Sequence, residues 1–199
     1  MTTYVIDADH STLGFTIRHA GIGKTRGQFD EFNGTIEVAD DSTPTGSTAS
    51  ATIKAASVNT RNNDRDNHLR SADFFDVETY PEWTFATTGV SGSKESFTLT
   101  GDLTIHGVTK SVDLEVEFLG AATDPFGNDR AAFEASTVIS RKDFGLTWNA
   151  ALEAGGVLVG DKVTITLEIE AITVPSPPSR VTVMPACCNC CWINVAWIV

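Results

Sequence analysis

The stretch Val163-Thr-Ile-Thr-Leu-Glu-Ile-Glu170 decides how this chain is read: every second residue is apolar, and each residue between is a threonine or a glutamate. A period of two puts Val163, Ile165, Leu167 and Ile169 on one face and the polar residues on the other, the pattern of a strand with one side buried. The same beat appears upstream in Leu13, Phe15 and Ile17; in Ile36 and Val38; and in Ala49, Ala51 and Ile53. It returns in Phe97, Leu99, Leu103 and Ile105; in Val112, Leu114, Val116 and Phe118; and in Ala131, Phe133, Ala135, Thr137 and Ile139. Seven or eight strands are expected. Turn formers separate them at Asn33-Gly34, Asp40-Asp-Ser-Thr-Pro44, Ser91-Gly-Ser93, His106-Gly107, Asp124-Pro-Phe-Gly-Asn128 and Gly155-Gly156. Short links between alternating strands favour an antiparallel sandwich or barrel over a parallel sheet.

One segment departs from the beat. Thr60-Arg-Asn-Asn-Asp-Arg-Asp-Asn-His-Leu-Arg-Ser71 is polar and lacks β-branched residues in its interior, with Asn59 and Thr60 placed as caps, so a short helix is expected there. On it Asp64 would meet His68, and Asp66 would meet Arg70, at the four-residue spacing.

At 199 residues the chain can bury a sizeable core as one domain, and 41% hydrophobic and 20% charged residues are ordinary for a globular protein. A net charge of -12 argues against nucleic acid, whose binding needs clustered cations, and disfavours anionic membrane surfaces on the same ground. The N-terminus has neither a basic start nor an apolar run of signal-peptide length, so a cytoplasmic location is expected. The four cysteines, Cys187, Cys188, Cys190 and Cys191, all fall near the C-terminus, which leaves the body without thiols. Residues 1–174 therefore read as one β domain. Residues 175–199 read as a Pro-rich linker with a Cys- and Trp-rich tail, expected to be poorly ordered and too short in its apolar part to span a bilayer.

Catalytic signatures are missing: there is no Gly-x-Ser-x-Gly elbow, no phosphate-binding Gly-rich loop and no His-Glu-x-x-His. His10, His19, His68 and His106 are scattered singly, so neither a metal nor another cofactor is expected. The informative cluster is basic and aromatic. Arg18, His19, Arg61, Arg65 and Arg70 could hold an anionic head group. Leu13, Phe15, Ile17, Phe74, Phe75, Phe85, Phe133, Phe144 and Trp148, with Trp83, could line an apolar space. Such aromatics also suit an ordinary packed core, and the pattern alone does not separate a hollow barrel from a filled one.

Longer motifs add a resemblance. Asp9-His-Ser-x-Leu-Gly-Phe-x-Ile-Arg-His19, Gly23-x-x-x-Gly27-x-Phe29, Asn59 through Pro81, Leu103-Thr-Ile-His-Gly-Val-Thr-Lys110, Ser140-Arg-Lys-Asp-Phe-Gly-Leu-Thr-Trp-Asn149 and Val159-Gly-Asp-Lys-Val163 together resemble the YceI-like family over nearly all of residues 3–174. The resemblance implies an all-β fold, an extended antiparallel lipocalin-like β-barrel of about eight strands with one short helix near its mouth. It also implies an interior that accommodates a polyisoprenoid or other long-chain lipid, with no catalytic step and no metal. Stable membrane insertion is not expected, and a homodimer stays open. Two other readings are carried forward: a stress-associated interaction or scaffold protein with a filled barrel, and an enzyme acting on an isoprenoid.

Overall fold

The computed structural model describes residues 1–39, 43–153 and 156–174; the tail at 175–199 lies outside the described residues. Eleven strands run in chain order: β1 (Thr2–Ile6), β2 (Thr12–His19), β3 (Gly23–Phe29), β4 (Phe32–Val38), β5 (Thr48–Lys54), β6 (Val58–Asn59), β7 (Glu82–Gly92), β8 (Ser96–Ile105), β9 (Val108–Thr123), β10 (Asp129–Ser140) and β11 (Val159–Thr173). One helix, α1 (Asn63–Arg70), lies between β6 and β7.

Every pairing is antiparallel, and the strands make eight staves. β1 and β2 both pair with β11, with a short 3-10 turn at Ala8–His10 between them, so they form one bent stave. Their neighbours bend in the same way: β1 pairs with β4 while β2 pairs with β3, and β5 pairs with β4 while β6 pairs with β3. The ladder continues through β5, β7, β8, β9, β10 and β11 and closes on β1, leaving a closed eight-stave meander. Closure satisfies the backbone groups that an open sheet would leave along its edges.

The alternating stretches take the strands expected of them, but four strands, β1, β3, β7 and the two-residue β6, carry no such alternation. The inward positions of β3 are Gly23, Thr25, Gly27 and Phe29, too small to give a hydrophobic beat, and β1 and β7 carry polar residues at inward positions too. Asn33-Gly34 is not a turn; it lies inside β4. Gly34 is required there by close packing, since a Cβ would stand 2.5 Å from the Ser50 carbonyl oxygen and 2.7 Å from Ile6 Cδ1. His106-Gly107 is a tight turn, with φ of 51° and 73°, the left-handed pair that closes a two-residue hairpin.

The helix is shorter than expected and is capped by Asn62, whose Oδ1 accepts from the Arg65 N–H at 2.9 Å. Neither expected four-residue pair forms. Asp66 is buried and turns back to accept from the Thr60 N–H at 3.0 Å and the Thr60 hydroxyl at 2.5 Å. Arg70 donates to the carbonyls of Ala56 at 2.7 Å and Val58 at 2.8 Å. Helix α1 is thus tied by these contacts to the segment Ala56–Thr60 that precedes it.

Near the opposite end of the barrel, Arg130 donates to Asp7 at 2.8 Å, Asp124 at 2.9 Å and Glu170 at 2.6 Å, joining β1, the β9–β10 turn, β10 and β11. Hydrogen bonds from Asn128 and Arg130 hold the Asp124 carboxyl well below the ordinary carboxylate range. At Asp7 burial works to raise the pKa, but the bonds from Arg130 and His10 outweigh it and leave it lowered.

Candidate functional site

The barrel is packed in one half and hollow in the other. Inward residues of the packed half include Phe118 and Phe133, register partners whose rings lie 5.3 Å apart. The hollow half holds a cavity of about 500 Å³. Its wall on β11 runs from Val159 to Leu167, eight steps of ~3.3 Å, or roughly 20 Å along the axis of a barrel with the usual strand tilt of about 40°. That wall is almost entirely aliphatic and aromatic: Leu13, Phe15 and Ile17 from β2 face Val163, Ile165 and Leu167 from β11, with Leu103, Ile105, Leu114 and Ile139 completing the ring.

Two phenylalanines keep to the wall because glycines make room for them. Phe15 pairs across the ladder with Gly27, and a Cβ on Gly27 would stand 2.4 Å from Phe15 Cζ. Phe85 lies in the same way against Gly101 of the adjacent strand, where a Cβ would stand 2.3 Å from Phe85 Cζ. A larger residue at either glycine would force the ring off the wall. The strands thus supply width through small residues as well as lining through large ones.

The mouth is built by α1, the segment after it, and the chain between β10 and β11. Phe74 and Phe75 follow α1 and are buried. Phe74 packs against Trp148 at 5.1 Å, and the His68 ring meets both edge to face, at 5.0 Å and 4.7 Å. Phe75 and Phe29 meet Trp83 at 4.7 Å and 4.8 Å, and the buried indole Nε1 of Trp83 has no hydrogen-bond partner. Asn149 fastens the returning chain by donating to the Val159 carbonyl at 2.7 Å and accepting from the Val159 N–H at 3.0 Å.

Of the residues singled out from sequence, Leu13, Phe15, Ile17, Phe74, Phe75, Phe85, Phe144 and Trp148 line this cavity, together with Arg18, His19 and Arg65 at its rim. Phe133 does not: it sits four residues beyond the lining residue Thr137 on the same strand face, in the packed half. Arg61 is exposed outside the lining, in a left-handed backbone conformation with φ 62°. Arg70 is also outside it, since its guanidinium is committed to the Ala56 and Val58 carbonyls. Period-two patterning locates a side chain on the inner face but not along the barrel axis, so it does not separate Phe133 from the residues that line the cavity.

Sequence reading missed Arg141. It lines the cavity at 3% exposure, and its guanidinium donates to the carbonyls of Gly160, Leu146 and Val159. Burial pushes its pKa down, and the nearby Asp161 carboxylate partly offsets that. Arg141 continues the parity of Ala131, Phe133, Ala135, Thr137 and Ile139, a signal that a polar run at the strand's end conceals. Arg65 is held by Thr60, its Nε donating to the hydroxyl at 2.7 Å and Nη2 to the carbonyl at 2.8 Å, which leaves further N–H groups at the rim. Among the described residues no group of three His, Cys, Asp or Glu side chains is placed to hold a metal ion.

Chemically the arrangement is a deep apolar sleeve with cationic and hydrogen-bonding groups among its lining at the α1 end. A filled barrel is not what the chain builds.

Residues 4–171 match the family described as the YceI-like domain. A UPF0312 protein of Staphylococcus aureus is 39% identical over 173 residues, covering 85% of this chain and 97% of the relative. Among solved structures, the YceI protein of Campylobacter jejuni is 33% identical with a TM-score of 0.67, over 78% of this chain and 88% of that one. A polyisoprenoid binding domain from Saccharophagus degradans, implicated in plant cell wall breakdown, shares the fold at 19% identity with a TM-score of 0.67, over 87% of this chain and 100% of that domain.

Proposed function

The chain belongs to the YceI-like family, and from the cavity it builds we propose that it binds a long-chain isoprenoid or similar amphiphilic lipid, tail inward, as a carrier, store or protector rather than as an enzyme. The observation that carries this reading is the hollow half of the barrel: about 500 Å³ of space walled mostly by apolar side chains, with Arg18, His19 and Arg65 among the residues that line it. Water gains little in such a space, whereas each methylene moved into it from water contributes up to ~0.8 kcal/mol. A branched hydrocarbon chain therefore dominates the affinity, and the rim cations set which end points out. The polyisoprenoid binding domain that shares this fold supports the ligand class.

Binding without turnover fits the lining. The carboxylate and imidazole groups near the cavity sit at the rim, where Asp64 and His68 are, and not beside the buried chain. His68 is edge-on between two aromatic rings and bonded to Asp73 at 3.0 Å, a positioning role in the mouth wall.

The test is organic extraction of protein purified from its native host, followed by mass spectrometry, with uptake of geranylgeraniol measured on the stripped protein. A prenyl or other long-chain lipid bound in near-stoichiometric amount, and restored on re-addition, is the expected result. Empty protein that takes up no prenol or prenyl phosphate would end the proposal, and would return the chain to a scaffold role.

A further inference from the structure

The β2–β3 hairpin carries a basic outer face of which the cavity rim uses only Arg18. From Ser11 to Phe29 there is no acidic residue, in a chain whose net charge is -12. With Ile17 facing inward, Arg18, Lys24 and Arg26 project from the outer face of the hairpin, and Arg18 and Lys24 are direct register partners. Like charges set opposite each other repel. Among the described residues none of the three makes an ion pair that would offset the repulsion.

The tip adds an apolar element. Ala20 and Gly21 take left-handed backbone conformations, φ 49° and 72°, and turn Ile22 outward to 89% exposure. The Ala20 N–H donates to the Leu158 carbonyl at 2.7 Å, which places this tip beside the neighbouring loop, where Val157 is 53% exposed. His19, Leu158 and Val159, immediately behind the two tips, line the cavity mouth.

We propose that this hairpin docks the mouth of the barrel on an anionic bilayer surface, with Ile22 and Val157 entering the headgroup layer and Arg18, Lys24 and Arg26 facing lipid phosphates. An apolar tip flanked by cations binds such a surface by both terms at once. The protein's overall acidity does not prevent it: charges more than about 10 Å from the membrane are largely screened at 0.1 M salt, so the local sign governs contact. Docking in this orientation sets the cavity opening against the bilayer, and the step it serves, transfer of a lipid tail between membrane and barrel, rests on the function proposed above.

The experiment is co-sedimentation with vesicles of phosphatidylcholine containing phosphatidylglycerol, against phosphatidylcholine alone, across a salt series. Wild-type protein should pellet with the anionic vesicles and be released by salt. Lys24→Glu with Arg26→Glu should weaken binding at least about 25-fold, roughly 5-fold per cation lost, and Ile22→Ser about 10-fold. Delivery of geranylgeraniol from cyclodextrin, which needs no membrane, reports that the variants are folded and loaded. Should the charge-reversed protein fail to fold, Lys24→Gln with Arg26→Gln replaces it. Equal pelleting of wild type with both vesicle types, or undiminished pelleting of the hairpin variants, overturns the docking surface. Anionic pelleting that the variants lose, in a protein that takes up no prenol, leaves the docking surface standing and removes the lipid-binding function.

Discussion

Replacing Gly27 by alanine tests whether the lumen is kept open by aromatic rings lying on glycines. Gly27 is not in the left-handed region, so the added methyl brings no backbone strain, and losing glycine's freedom in the unfolded chain favours the variant by about 0.4–1 kcal/mol. The methyl would stand 2.4 Å and 2.8 Å from Phe15 Cζ and Cε1, and 2.8 Å from Thr60 Cγ2, where carbon atoms settle near about 3.5–4.0 Å. The ring must therefore move by about 1 Å or more, and the free space is the cavity. In a solid core such overpacking costs about 1–3 kcal/mol; beside a hollow it should cost less, so the stability change should stay within about 1 kcal/mol. Ligand binding bears the effect instead. A ring displaced into the lumen excludes about three methylenes of lipid at ~0.8 kcal/mol each, close to 2.4 kcal/mol, or a roughly 60-fold weaker Kd for geranylgeraniol. Fluorescence or radiolabel titration measures the Kd and urea unfolding the stability. Phe15→Leu in the Gly27→Ala background should recover most of the affinity. Unchanged prenol affinity in Gly27→Ala would refute the idea that the glycine–phenylalanine pairs set the usable width.

Other predictions follow from the remaining contacts. Phe133→Leu should leave prenol affinity within about 2-fold of wild type while lowering stability by about 1 kcal/mol, because Phe133 packs on Phe118 outside the cavity; loss of uptake would place the ligand deeper than the lining indicates. Asp66→Ala should cost about 1–3 kcal/mol in urea unfolding, since the buried Thr60 N–H loses its acceptor, and Asp66→Asn should recover part of that. Arg141→Met should destabilise the protein by about 1–3 kcal/mol by leaving carbonyls of Leu146 and Gly160 without a donor, and Arg141→Lys should not restore it because one ammonium cannot reproduce the fork. The lowered carboxyl pKa values at Asp7 and Asp124 mean that their stabilising effect is complete above the unfolded value of about 3.9 and is lost as pH falls towards the folded values. Melting temperature should therefore drop more steeply below about pH 4 in wild type than in Arg130→Gln, and parallel curves would show that this ion cluster does not govern acid stability.

Much of this molecule is legible in the residues alone. Alternation in Val163–Glu170 and its counterparts gives strands with one buried face, because of that period of two, and the short links between them give the antiparallel arrangement. The polar run around Asp64–Arg70 gives helix α1, and the long motifs give the family. Position along the barrel axis was decided only by the tertiary structure. Phe15 and Phe133 obey the same parity, yet one borders the cavity and the other packs on Phe118 beyond it, since height depends on register and strand tilt summed over eight staves. The pairing of Phe15 with Gly27, the burial of Arg141 and the diversion of Arg70 to backbone carbonyls are likewise contacts between separate segments. A local pattern carries which way a side chain points; whether it meets a neighbour, a ligand or nothing is fixed by strands far away in sequence, whose registry no local pattern encodes.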